Sequence, residues 1–202
     1  MAEYAPGSPD AESLDRYLVE RAELEAIGKT RTPEYALVLT NLAACLGCQG
    51  REEEALRVYM EAMATHEASG STDSPAYADT LQNVGDHLNG LGRHDEAMTL
   101  FAGAREVYEA LGWHATLNYA VVLHNMGVCA FKRGQKDTAI THYRGAMSAY
   151  EKVLLGTDTP QYAELLDDMR AAGMSVLSPP PSPRLPGVDF SSTVVSGLAS
   201  LD

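Results

Sequence analysis

Three stretches of this chain repeat one another at a spacing of 42 residues, and no other feature limits its fold so sharply. Tyr35-Ala36, Tyr77-Ala78 and Tyr119-Ala120 stand one such step apart. The same step carries Leu39 to Leu81 and Leu123, Asn41 to Asn83 and Asn125, and Gly50 to Gly92 and Gly134. It also carries Ala55 to Ala97 and Ala139, Tyr59 to Phe101 and Tyr143, and Ala62 to Ala104 and Ala146. Columns that hold one register over three copies mark a repeat array, in which each unit buries its apolar face only against its neighbours. Upstream, Glu12, Leu14, Tyr17 and Gly28 precede Glu54, Leu56, Tyr59 and Gly70 by one period. Downstream, Tyr162-Ala163 and Leu166 continue the pattern one residue late, which places a one-residue insertion in the preceding turn. The expected organisation is a flexible N-terminus over 1–9, a solenoid over 10–175 and a tail over 176–202. Within the solenoid fall a half-repeat at 10–30, whole repeats at 32–73, 74–115 and 116–158, and a terminal half-repeat at 159–175.

Each unit reads as two helices. From about Pro33 to Cys48, Leu39, Leu42, Ala43 and Leu46 recur at helical spacing. A hydroxyl cap with proline in the first turn opens the first helices at Thr32-Pro33, Ser74-Pro75 and Thr159-Pro160, and Ser8-Pro9 marks the leading half-repeat in the same way. Gly50, Gly92 and Gly134 close them, because glycine enters the left-handed conformation without a Cβ penalty. The second helix runs from near Glu52 to near Gly70, with the small Ala55 and the ring of Tyr59 four apart on one face. No β-branched alternation predicts a strand before residue 176. The fold class expected is therefore all-α, a right-handed solenoid of helical hairpins with about eight helices. Beyond it, Ser178-Pro179-Pro180-Pro181-Ser182-Pro183 cannot continue a helix and favours polyproline II, so a disordered tail is expected. Its apolar stretch from Val188 to Leu201 is a candidate for docking on the solenoid.

These columns resemble the tetratricopeptide repeat. The family's sequence of a large apolar residue, Leu-Gly, an aromatic and Ala-x-x-x-Phe appears as Leu81, Val84-Gly85, Leu88 and Ala97-x-x-x-Phe101. Leu123, Met126-Gly127 and Ala139-x-x-x-Tyr143 match in the third copy, and Leu39, Leu42-Ala43 and Ala55-x-x-x-Tyr59 in the first. The family's Trp is replaced by Leu throughout, and 42 residues exceed the usual 34. The longer period, with Tyr-Ala-x-x-Leu-x-Asn opening the first helix, looks like the kinesin-light-chain type of repeat. The resemblance implies a protein-binding adaptor or scaffold, or alternatively a structural subunit of a larger assembly, of which a microtubule or ciliary one is the family's habit.

Composition narrows the partners. Fifteen Lys and Arg against 28 Asp and Glu give a net charge of -13, which argues against nucleic acid or an anionic membrane as partner. The longest apolar run, Ala36 to Cys48, is interrupted by Thr40 and Asn41 and too short to span a bilayer. Three cysteines and an unremarkable N-terminus fit a cytoplasmic protein. Cys45-x-x-Cys48 lies inside a predicted helix, and Cys45, His87 and Cys129 share a column that packing explains better than metal. No phosphate loop, nucleophile elbow or zinc spacing is visible, so neither enzymatic activity nor a cofactor is expected.

The concave side of such a solenoid is lined by its first helices. The expected lining is Leu37, Thr40, Asn41 and Ala44, then Asp79, Gln82, Asn83 and Asp86, then Val121, His124, Asn125, Val128 and Lys132. Relatives that clamp chaperone C-terminal carboxylates use Lys and Arg there; Thr40, Gln82 and His124 stand where such a Lys would be, each followed by Asn. A carboxylate clamp is therefore not expected. Asn41, Asn83 and Asn125 instead form a ladder of amides able to hold an extended peptide backbone, or else to bond neighbouring helices and fix the repeat spacing. Asp79 and Asp86 beside them, with Lys132 the main base, favour a neutral or basic segment with apolar anchors.

Overall fold

A computed structural model describes residues 11–153 and 159–175. Among them are eight α-helices: α1 Ala11–Ala26, α2 Pro33–Cys48, α3 Glu52–Ser69, α4 Pro75–Gly90, α5 His94–Ala110, α6 Leu117–Lys132, α7 Lys136–Lys152 and α8 Pro160–Ala171. The first-helix bounds expected for repeat one are those observed. The Ser8-Pro9 cap, the inserted residue before α8 and the whole tail from 176 lie outside the described residues.

Four first helices begin by the same chemistry. Thr32, Ser74, Thr116 and Thr159 hold extended backbone angles, and each side-chain oxygen accepts from the N–H three residues on. The acceptances from Tyr35, Tyr77, Tyr119 and Tyr162 run from 3.2 to 3.3 Å. At α6 Leu117 replaces the proline, so the hydroxyl cap alone suffices there. The second helices α3, α5 and α7 lack a side-chain cap; acidic residues in their first turns meet the positive helix end instead. Gly50, Gly92 and Gly134 turn between the paired helices with φ near +75° (73°, 76° and 75°).

Helices pair as α2 with α3, α4 with α5 and α6 with α7, and each hairpin stacks on the next, with α1 before and α8 after. The seam of each hairpin is a small residue under a ring. Ala55, Ala97 and Ala139 are fully buried, as are Phe101, Tyr143 and, nearly, Tyr59. Facing them across the hairpin stand Ala43, Gly85 and Gly127. A Cβ on Gly85 would come within 2.7 Å of the Phe101 ring, and one on Gly127 would meet Tyr143 still more closely.

The outermost helices break two of these columns. On α1, Glu20 is exposed where the whole repeats bury Ala62, Ala104 and Ala146. On α8, Arg170 is exposed where Ala43, Gly85 and Gly127 receive a ring.

Between repeats, hydroxyls and one imidazole make a buried polar chain. Thr40 Oγ1 and Thr80 Oγ1 lie 2.9 Å apart, Thr80 Oγ1 lies 3.2 Å from His66 Nε2, and His66 Nδ1 lies 2.8 Å from Ser71 Oγ. It ties α2, α4 and the end of α3 together. His66 takes the column of Tyr108 and Tyr150 and, like them, is fully buried.

Candidate functional site

The inner stripe of the first helices is spaced by helical turns. On α2 it comprises Leu37, Asn41, Ala44 and Cys48, all partly or well exposed. Asp79, Asn83 and Asp86 continue it on α4, and Val121, Asn125, Val128 and Lys132 on α6. Glu164 and Asp168 extend it on α8. These two acids are absent from the expected lining, although the one-residue shift shown by Tyr162-Ala163 would have placed them in the columns of Val121 and Asn125.

Two expected lining residues are not on this surface. Thr40 and His124 are 2% and 4% exposed, because their column faces the next first helix rather than the groove. Thr40 bonds Thr80, and His124 Nε2 lies 2.9 Å from Asp168 Oδ2. Gln82, of the same column, is half-buried and hydrogen-bonds Asp86, while its Oε1 is buried without a partner.

The asparagine column divides. Asn125 Nδ2 donates to Asp86 Oδ1 at 2.5 Å, so this amide joins α6 to α4. For Asn41 and Asn83, both half-buried on the stripe, no side-chain hydrogen bond to the described residues is present. At Asp79, Tyr108 Oη donates a short hydrogen bond to Oδ1, and Asn118 Nδ2 donates to the same oxygen at 2.8 Å.

The electrostatics of the groove centre are set by acids. Desolvation by the neighbouring helices raises the pKa of the Asp86 carboxyl, with Gln82 opposing the rise and the charge of Glu164 adding to it. The residue as a whole stays open to solvent, which limits the effect. Burial likewise raises the Tyr108 hydroxyl, and its bond to Asp79 acts in the same direction. A groove centre with Asp79, Asp86 and Glu164 offers acceptors and negative charge, with Lys132 at its far end.

The column of Cys45, His87 and Cys129 is a packed one. Cys45 and Cys129 are fully buried, Cys129 Sγ donates to Asn89 Oδ1 at 3.3 Å, and burial pushes its thiol up to about 11. His87 Nε2 sits 3.0 Å from Glu52 Oε2 without the alignment of a hydrogen bond. Among the described residues no three His, Cys, Asp or Glu side chains converge on a metal position, and no helix is long and apolar enough to cross a membrane.

Capped hairpins with a small-under-ring seam are the parts of a known family, and the family model for the tetratricopeptide repeat matches residues 34–110. Residues 34–110 are thus matched as tetratricopeptide repeats. The solved Podosopora anserina kinesin-light-chain TPR-like repeats superpose with a TM-score of 0.61 at 13% identity, covering 80% of this chain and 86% of theirs. BtubC (BKLC) from P. vanneervenii superposes with a TM-score of 0.57 at 16% identity, covering 89% of this chain and 88% of that one. At these identities the likeness is one of fold: a tetratricopeptide solenoid of the kinesin-light-chain-like kind. No curated protein matches the sequence.

Proposed function

We propose that this tetratricopeptide array is a non-enzymatic adaptor whose first-helix groove holds an extended protein segment, neutral or basic and carrying apolar anchors. One observation carries the proposal: on the stripe, Asn41 and Asn83 present amides without hydrogen bonds to the described residues, beside the carboxylates of Asp79, Asp86 and Glu164. Such amides satisfy a peptide backbone whatever its side chains, and the acids select against an acidic one. Leu37, Ala44, Val121 and Val128 supply the apolar contacts between them.

The test uses dye-labelled, capped nine-residue peptides with leucine at alternate positions and arginine, glutamine or glutamate between. Fluorescence anisotropy should show the arginine and glutamine peptides binding and the glutamate peptide failing to bind. Asn83→Ala should weaken binding by about 0.5–1.5 kcal/mol, the net value of an ordinary hydrogen bond, with the melting temperature kept. A sharp fall in melting temperature with binding preserved would make Asn83 a structural residue and remove the main support.

A second use of the surface has an observation of its own. Val19, Ile27 and Met60 are exposed on α1, its following turn and α3, away from the groove stripe. Such residues suit a subunit of a fixed assembly, which would co-purify in constant stoichiometry through salt washes.

A further inference from the structure

In a repeat array the columns record what packing needs, so departures that meet in space point to something else. Trp113 is the only tryptophan of the chain. Its counterparts are Lys29 and Ser71, and Ser71 covers the ring of its own repeat with no more than a hydroxyl bonded to His66. Trp113 covers Tyr108 with a full indole, the two rings stacked at 6.2 Å and 12°. Tyr108 is completely buried beneath it, while Trp113 remains 39% exposed, so the outer side of the indole faces solvent.

The backbone of this aromatic is fixed on both sides. Trp113 N–H donates to Tyr108 O at 2.9 Å, and Thr116 Oγ1 donates to Trp113 O at 2.9 Å. Leu111 at the end of α5 and Leu117 at the start of α6, 37% and 36% exposed, bracket it along the chain.

The second departure is Asp79, an acid where repeats one and three have Leu37 and Val121. It is joined to Trp113 through Tyr108, whose ring stacks on the indole and whose hydroxyl donates to Asp79 Oδ1. Both donors to this carboxylate, Tyr108 and Asn118, use Oδ1, which leaves Oδ2 for an outside group. Arg105 is engaged with Glu109 at 3.5 Å, Glu109 also accepts from Tyr119 Oη at 3.0 Å, and the His114 ring packs edge-on against Tyr119 at 5.7 Å. The charge at this junction is therefore negative. An open aromatic face, a carboxylate oxygen and flanking leucines fit the planar cation and apolar stem of arginine better than the compact, strongly hydrated ammonium of lysine.

We propose that the junction between the second and third repeats seats an arginine side chain of the bound segment, its apolar stem against the exposed part of the Trp113 indole and its guanidinium paired with Asp79 Oδ2. This rests on the groove as a segment-binding surface and adds which side chain it selects and where.

Because Trp113 is unique, its emission reports occupancy of the seat directly. The labelled leucine–arginine peptide should shift that emission saturably, with the same midpoint as its anisotropy. A citrulline version, neutral but of the same shape, should bind at least fivefold more weakly, and a lysine version should fall between. Asp79→Asn retains an acceptor for Tyr108 and should weaken the arginine peptide at least fivefold with unchanged melting temperature. Trp113→Leu should weaken it similarly by anisotropy. If the arginine peptide binds both variants as tightly as the parent, or binds without moving Trp113 emission, the seat is wrong while the groove stands. If neither the arginine nor the glutamine peptide binds the parent at all, the groove itself fails and this seat with it.

Discussion

At the scale of single residues, the seam of each hairpin depends on what is missing from one side chain. Gly127 lies against the face of Tyr143, and a methyl group there has no room unless the ring moves. Gly127→Ala should therefore destabilise the array by about 1–3 kcal/mol in urea unfolding, the usual range for overpacking. Gly90, at the end of α4, has nothing within 4 Å of a built Cβ. Gly90→Ala should be neutral or gain a few tenths of a kcal/mol from lower unfolded-state entropy, about the lower end of such exchanges. Equal behaviour of the two variants would show that the seam yields. The seam was legible in the sequence because packing forces the same residue sizes into every copy. The orientation of Thr40 and His124 was not. A hydroxyl and an imidazole next to an inward asparagine look polar enough for a groove, and only the neighbouring helix, with Thr80 in one case and Asp168 in the other, supplies the partners that bury them.

At the scale of elements, the helix bounds were written in the hydroxyl caps and the turn glycines, since both act within a few residues along the chain. What the elements do to one another was less legible, because a bond such as Asn125 to Asp86 joins positions 39 residues apart and follows from no local pattern. The contact of α2, the end of α3 and α4 through Thr40, Thr80, His66 and Ser71 has a measurable consequence. Burial lowers the pKa of His66, whose ring faces Thr80 and Tyr77 from α4 and Ser71 from the following turn. No carboxylate bonds it. An imidazole that protonates more readily unfolded than folded adds stability above its unfolded pKa, near 6.5, and that stability is lost as pH falls toward the lower folded value. The slope is bounded by about 1.4 kcal/mol per pH unit. Urea midpoints at pH 7.5 and 5.5 should show the parent weakening with acid and His66→Gln weakening less. Equal losses in both would assign the effect to another group, such as His142, which burial also lowers.

At the scale of the whole molecule, charge and curvature act together. A net charge of -13 with acids gathered on the inner stripe makes capture of a basic segment a screened, long-range attraction. Raising salt from 50 to 500 mM should weaken the leucine–arginine peptide several-fold and leave the glutamine peptide almost unchanged; parallel losses would deny the acids a part in selection. The phase of the array has another consequence. Among the described residues it opens on a second helix, α1, and closes on a first helix, α8, two halves that together match one repeat. Docking α1 of one molecule on α8 of another would complete that repeat, and the operation, once allowed, has no reason to stop: it generates a fibre. Exposed Arg170 stands in the column that receives the ring in whole repeats, and Glu20 places a carboxylate where the seam has alanine. The double variant Glu20→Ala, Arg170→Gly should lengthen with concentration in sedimentation velocity while the parent's distribution stays fixed; a double variant that keeps one size at every concentration would mean that other residues guard the ends. Two polar side chains in columns otherwise kept for alanine and glycine are thus expected to halt an end-to-end growth that the repeat itself would permit.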